Sequence, residues 1–329
     1  MDTERVIYLR NWLRLISVAV VVMSVGGCDG RTAAPDTAAQ NEHRIDWGIF
    51  VPDDSDGSSN LFTIKDMAGS SPQYVLRFAA IDDKIQIPQL TEINTMGAVP
   101  ILTLEPWQPK GGTIQPDYAL ARIAAGSLDA QLDAWARNLA EWGQPVVLRF
   151  GHEMNTDRYP WSVGVNGNSA ADYLAAWRHL RDRFSAARAD NVSFMWCPNA
   201  PYEGAANMAE SFPGSDSVDL LGLDGYNWGD GDGHTWKTPE EIFGEGIEQL
   251  RALDPVHPIV IAETASVEGP TSGTDKAAWI TELVDFLMRQ DRVSGFVWFQ
   301  MNKERDWRLN SSAQSQAAFK AALASRPSA

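Results

Sequence analysis

A single (β/α)8 barrel spanning residues 45–325 is the fold the sequence predicts, and three observations predict it. Short apolar runs alternate with longer stretches of helical periodicity, eight such runs occur, and nothing between them reads as an interdomain linker. Strand-then-helix repetition favours a parallel sheet, and eight units are the number that closes one. The chain has 329 residues, 44% of them hydrophobic, which is ample for one large core.

The eight runs are 47–51, 74–80, 99–104, 146–150, 192–196, 220–223, 259–262 and 295–299. Each is short and rich in β-branched or aromatic residues, as a buried strand requires. Helical periodicity is clearest over 128–142, 170–187 and 313–324, where apolar residues recur three or four apart. Strict alternation within strands predicts which residues face the barrel axis. It assigns Ile259, Ile261 and Glu263 to one face of the seventh strand, and Arg149, Gly151 and Glu153 to one face of the fourth. By the same rule Trp298 follows Phe296, and Asp224 and Tyr226 follow Gly222. Polar residues thus gather at the C-terminal ends of strands, where barrels of this class carry their active sites.

The first residues read differently. Arg5, Arg10 and Arg14 precede an apolar run over 15–25 that is short for a bilayer span, followed by small residues and Cys28. Residues 1–27 are therefore expected to be an export signal. The run Val25-Gly-Gly-Cys28 resembles a bacterial lipobox, which implies a lipid-modified Cys28 and membrane anchorage. Residues 28–44 are polar and rich in Ala, Thr and Asp, as expected of a tether, and 326–329 form a short C-terminal tail. Cys197 is then the one remaining thiol, so stability must come from packing rather than from an internal disulfide.

A formal charge of -16 excludes nucleic acid as the expected partner and favours a neutral polymer over an anionic one. Two carboxylates stand out. Glu153, in Arg149-Phe-Gly-His-Glu-Met-Asn155, and Glu263, in Ile261-Ala-Glu-Thr264, each leave an apolar run at a strand end. A retaining glycosidase needs such a pair, with the carboxyl groups about 5–5.5 Å apart, one as acid/base and one as nucleophile. His152-Glu153 is not the start of a zinc-protease helix, because that motif needs a second His one turn later and position 156 is Thr. No metal or organic cofactor is expected. Asp53, Asp54 and Asp56 miss the spacing of a calcium loop and read as a solvated acidic stretch. Of 13 Trp, several fall after strands, including Trp107, Trp161, Trp228 and Trp298, as an aromatic cleft for sugar rings would require. His152, Asn155, Asp224 and Tyr226 complete the expected substrate-binding set, with Glu105 as a third inward carboxylate.

With Asp224-Gly-Tyr-Asn-Trp228 beside these two runs, residues 45–325 resemble glycoside hydrolase family 26. The resemblance implies a retaining (β/α)8 enzyme with Glu153 as acid/base and Glu263 as nucleophile. It further implies that Tyr226 contacts the nucleophile and that Trp298 lies beneath the sugar. The family includes β-1,4-mannanases, mixed-linkage β-1,3-1,4-glucanases and β-1,3-xylanases. Its mannanases commonly follow the eighth-strand Trp with Arg, whereas Phe299-Gln300 stands here and Lys303-Glu304-Arg305-Asp306-Trp307 resembles the glucanase branch. The substrate these features imply is a neutral β-linked polysaccharide, mixed-linkage glucan ahead of mannan. A glycan-binding barrel without catalysis, or a β-1,3-xylanase, is the alternative.

Overall fold

The computed structural model describes residues 43–52, 61–271 and 274–327. The expected export signal, the lipidation site Cys28, most of the tether and the acidic stretch with Asp53, Asp54 and Asp56 lie outside these residues.

Eight parallel strands close into a barrel in sequence order. They are β1 (Asp46–Phe50), β2 (Tyr74–Ala80), β3 (Val99–Glu105), β4 (Val146–Phe150), β5 (Val192–Trp196), β6 (Leu220–Asn227), β7 (Ile259–Ser266) and β8 (Val293–Phe299). The helices described around them are α1 (Leu61–Ala68), α2 (Ile87–Thr95), α3 (Leu120–Ala124), α4 (Asp129–Trp142), α5 (Ala170–Ala186), α6 (Pro239–Leu253), α7 (Asp275–Met288) and α8 (Ala313–Ala324). The strand–helix repeat is not strict. Two helices follow β3, and β5 returns to β6 through 3-10 turns at Met208–Ser211 and Ser215–Ser217.

Local chemistry sets the helix starts. Ser169 and Asp172 form a reciprocal capping box at α5, and Thr238 and Glu241 do the same at α6, where Pro239 fits the first turn. Gly143 closes α4 at φ 68°, a left-handed conformation that suits glycine.

Two apolar layers follow from alternation. Leu76, Ile101, Val147, Met195, Cys197, Val260, Ala262 and Val297 fill the barrel interior, while the opposite strand faces pack on the helices. A Cβ at Gly222 would come within 2.5 Å of Cys197 Sγ, so the glycine makes room for the buried thiol. The described ends of the expected tether and tail bond to the barrel. His43 Nε2 already bonds Val293 O at 2.7 Å, and Arg326 donates to Ile45 O at 2.8 Å.

Candidate active site

β6 and β7 run eight residues each, and their C-terminal halves carry Asp224, Tyr226 and Glu263 above the apolar interior. Strict alternation was the wrong rule for β7. Val260 and Ala262 face the axis, and Ile259 and Ile261 pack outward on the helices. Glu263 nevertheless turns inward because β7 carries an extra residue. Leu223 pairs with Ile261 but Asp224 pairs with Glu263, and the register with β8 slips over the same residues. A bulge of this kind re-aims the side chain that follows it.

Glu263 is held at both oxygens. Tyr226 Oη donates to Oε2 at 2.6 Å, and the Arg149 guanidinium donates to Oε1. Arg149 is wholly buried, donates from Nε to Thr103 Oγ1 at 2.9 Å, and bonds both oxygens of Asp224 at 3.0 and 2.8 Å. Charge-assisted bonds of this kind fix geometry as well as charge, and a carboxylate so held cannot rotate away from its target. His152, Asp224 and Glu263 bring ligand-type atoms within 4.8 Å of one another. Because the Arg149 guanidinium binds both of these carboxylates, the positive charge a metal would bring is already supplied.

Glu153 follows β4 in a tight turn. Gly151 and Glu153 both have positive φ, 52° and 51°, and the second is a costly conformation for a residue with a side chain. Neighbouring groups hold it there: Glu153 N donates to Cys197 O at 2.8 Å, and Thr156 N donates to Glu153 O at 3.0 Å. Burial, and then the charge of Glu263, push the Glu153 carboxyl up to about 7. Glu105 is pushed up to about 8, chiefly by burial. His152 is kept neutral by burial and by Arg149; its Nε2 stands 3.9 Å from Glu263, beyond hydrogen-bond reach.

Glu153 and Glu263 open into one cavity of about 430 Å³, also lined by Glu105, Trp107, His152, Tyr226 and Trp228. Four residues expected to bind substrate lie outside that lining. Trp298 is fully buried on the outer face of β8, against Trp279 of α7 and Phe319 of α8. Its expected place beneath the sugar is therefore corrected: Val297 is the inward residue, so Phe299 reaches the cavity, stacked on Phe50 at 4.5 Å. Trp161 lies behind the wall, stacked on Tyr159 at 4.5 Å and donating to His152 O at 2.7 Å. Asn155 exchanges bonds of 2.9 and 2.8 Å with the Asn199 backbone, and Asp224 sits beneath Arg149. These three support the site rather than line it.

Sequence reasoning assigned no role to Phe50, Phe78 or Tyr159 and read Phe299 and Lys303 only as marks of the substrate branch; all five line the cavity. Phe299 was legible from the alternation of β8 once Val297 is taken as inward. Trp307 also lines it, set edge-on to Trp228 at 4.8 Å. Its loop is pinned from below by buried Lys276, which donates to Asp306 O, Arg308 O and Ser311 Oγ at 3.2, 2.7 and 2.9 Å.

Solved structures share this fold. The structure of Bacillus subtilis mannanase man26 matches with a TM-score of 0.64 at 19% identity, over 84% of this chain and 85% of that one. The β-mannanase BoMan26A of Bacteroides ovatus matches with 0.63 at 19%, over 87% and 90%. At such identity the likeness is one of fold. Among curated relatives, Endoglucanase H of Acetivibrio thermocellus is 34% identical over 242 residues, 72% of this chain and 25% of the relative. Beta-1,3-xylanase TXYA of a Vibrio species is 26% identical over 214 residues, 56% of this chain and 42% of the relative. The chain thus spans a quarter to under half the length of these relatives. The glycosyl hydrolase family 26 model matches residues 117–236, the segment that holds Glu153, Asp224 and Tyr226. Over residues 117–236 the chain thus matches glycosyl hydrolase family 26, and over 242 residues it is similar to an endoglucanase.

Proposed function

We propose that this barrel is a retaining endo-β-glycanase acting on β-1,4-type linkages of a neutral polysaccharide, with mixed-linkage β-1,3-1,4-glucan preferred and β-1,4-mannan second. The observation that carries the reading is the division of labour in one cavity. Glu153 is buried and kept as an acid near neutral pH, while Glu263 accepts hydrogen bonds from Arg149 and Tyr226 at its two oxygens. That is the acid and nucleophile pair of double displacement. Glu153 protonates the glycosidic oxygen as Glu263 attacks the anomeric carbon; the C–O bond breaks, the leaving sugar departs, and a glycosyl ester remains on Glu263. Glu153, now a carboxylate, takes a proton from water, which attacks the same carbon and frees Glu263. Two inversions leave the configuration unchanged.

The preference for glucan rests on the eighth-strand neighbourhood, where Phe299, Met301, Lys303 and Glu304 form the wall, and on the 34% identity to a relative named Endoglucanase H. A β-1,3-xylanase reading draws on the 26% identity to the Vibrio protein. Barley glucan, lichenan, mannan and β-1,3-xylan, assayed side by side for new reducing ends, separate these. Fastest release is expected on the two mixed-linkage glucans, with the β anomer appearing first by proton NMR. Fastest release on mannan or xylan overturns the substrate assignment, an α anomer first overturns retention, and binding without release makes this a glycan-binding barrel.

The proposal extends to location: an exported lipoprotein facing the periplasm or cell surface, anchored through Cys28. The full chain expressed in a bacterial host is expected to enter the detergent phase of a Triton X-114 extract, and its Cys28→Ala variant the aqueous phase. Equal partitioning of the two removes the anchor from the reading.

A further inference from the structure

Lys276 stands where two unfavourable effects meet. It is wholly buried, and it is the second residue of α7, so its ammonium lies at the positive end of a helix dipole. Three charge-assisted bonds offset them, to Asp306 O at 3.2 Å, Arg308 O at 2.7 Å and Ser311 Oγ at 2.9 Å. An ammonium has three N–H donors, and these acceptors account for all of them. The carbonyl between the two it binds is also caught: Trp298 Nε1 donates to Trp307 O at 3.0 Å. Three successive peptide carbonyls, at 306, 307 and 308, are thus held by buried side chains, and Lys276 Nζ lies 5.8 Å from the centroid of that same Trp298 indole. Glu268, in the segment after β7, completes the anchor. Its Oε1 accepts from Ser311 Oγ at 2.6 Å and from Ser315 Oγ of α8 at 2.9 Å, so the Ser311 hydroxyl bridges ammonium and carboxylate.

The segment so held carries Trp307 into the wall of the catalytic cavity. Its ring lies 5.1 Å from that of Tyr226 and edge-on to Trp228 at 4.8 Å, and Tyr226 is the donor to Glu263 Oε2 at 2.6 Å. We infer that Lys276 is a positioning residue of the active site: it fixes the backbone of residues 306–308 so that Trp307 packs against Tyr226, and through that phenol it sets the aim of the Glu263 carboxyl. Only its kinetic consequence rests on the proposed glycanase reading.

Other bonds of the loop set its shape more than its seat. Trp307 N donates to Met301 O at 3.0 Å and Leu309 N to Gln300 Oε1 at 2.7 Å, both within the loop. The exposed Arg305–Asp232 ion pair reaches outside it but is of the kind that contributes little. The buried anchor also carries a titration of its own. Burial lowers the Lys276 ammonium to about 8; Glu268 and Asp306 act against that shift, and Arg308 adds to it. The charge is present below that value and is lost as pH rises through it. A neutral amine then offers two donors to three acceptors, and the hold on residues 306–308 loosens.

The experiment follows Trp307 itself. Protein labelled with 5-fluorotryptophan gives a fluorine-19 resonance for each indole, and Trp307→Phe identifies the one in question. Lys276→Met is expected to shift that resonance at neutral pH. In the wild type it is expected to move with pH in a step centred at about 8, and in Lys276→Met that step should be absent. Glu105 borders the same cavity and is also pushed to about 8, but a step due to it would persist in the variant. On barley glucan the variant's KM is expected to rise roughly two- to tenfold, the scale of one aromatic contact, and kcat to fall with it. A mere loss of folded protein lowers kcat and leaves KM where it was. Ser311→Ala, which removes one partner of the ammonium and little packing, is expected to give the same changes at smaller size, and it carries the test if the Met variant does not fold. A Trp307 resonance unmoved in both variants, a step at about 8 that persists in Lys276→Met, or kcat falling at constant KM overturns the role of Lys276. A wild-type protein inert on every glycan overturns the glycanase reading, and the resonance still decides whether Lys276 holds Trp307.

Discussion

Glu263→Ala is expected to abolish turnover on every glycan, with kcat/KM down by about 10⁴-fold or more, the scale on which removal of a nucleophile is felt. No neighbour can replace it. Glu105 shares the cavity but is pushed to about 8 by burial, and a protonated carboxyl does not attack. Asp224 is wholly buried beneath Arg149, with both oxygens bonded to the guanidinium. The fold is expected to survive, because Arg149 keeps Asp224 and Thr103 as partners after the change. Near-ultraviolet circular dichroism matching wild type would establish that, so that loss of rate reports chemistry. With a dinitrophenyl glycoside, added azide should enter the space vacated by the side chain and give an α-glycosyl azide, the inverted product. Near-normal hydrolysis by the variant, or azide product of β configuration, would remove Glu263 from the nucleophile's role.

The aim of that side chain is the part of the site the sequence carried least directly. The two glutamates were legible because each leaves an apolar run at a strand end. Their facing relation was argued from alternation, and on β4 that rule holds: Val147 and Arg149 face the axis. On β7 the rule taken alone turns Glu263 outward with Ile261, and an extra residue restores it. A bulge is a register property of two strands, and neither Ala262 nor its neighbours announce it. Trp298 failed for a related reason. Phase on β8 depends on which of two adjacent aromatics the barrel interior accepts, and the axis takes Val297 and Phe299 while the helix layer takes the larger indole.

The polar residues divide along another line. Asn155, Trp161 and Asp224 were grouped with the binding residues because they sit beside the catalytic motifs in sequence. In the fold that proximity makes them braces: Asn155 ties two loops together, Trp161 backs Tyr159 and holds the His152 carbonyl, and Asp224 shares the guanidinium with Glu263. The cavity wall comes instead from strands and loops far apart in the chain, Phe50 of β1 and Phe78 of β2 together with Lys303 and Trp307 beyond β8. Their meeting is a consequence of barrel closure, which brings β8 beside β1. No local pattern encodes it.

Glu153→Ala should separate substrates by the quality of their leaving groups. On barley glucan, whose leaving sugar needs a proton, general-acid assistance is worth about 10²–10⁴-fold, and a loss of that order is expected. On a dinitrophenyl glycoside, whose phenolate leaves unaided, departure of the leaving group should proceed and the glycosyl ester should accumulate, because Glu153 is also the base for the second step. Azide, which attacks without a base, is then expected to restore turnover and to give a β-glycosyl azide, the opposite anomer from that of the Glu263 variant. The pH profile supplies an independent reading. Burial, and secondarily the charge of Glu263, raise the Glu153 carboxyl to about 7, so the proton is in place below that value and is lost as pH rises through it. Wild-type kcat/KM on glucan should therefore fall on the alkaline side with a midpoint near 7, and the Glu153→Ala profile should lack that limb. Glu263→Gln removes the second cause of the shift and should lower the Glu153 midpoint, followed by carbon-13 NMR of labelled glutamate. A wild-type profile flat through pH 7, or an alkaline limb that persists in the Ala variant, would assign the proton to another group.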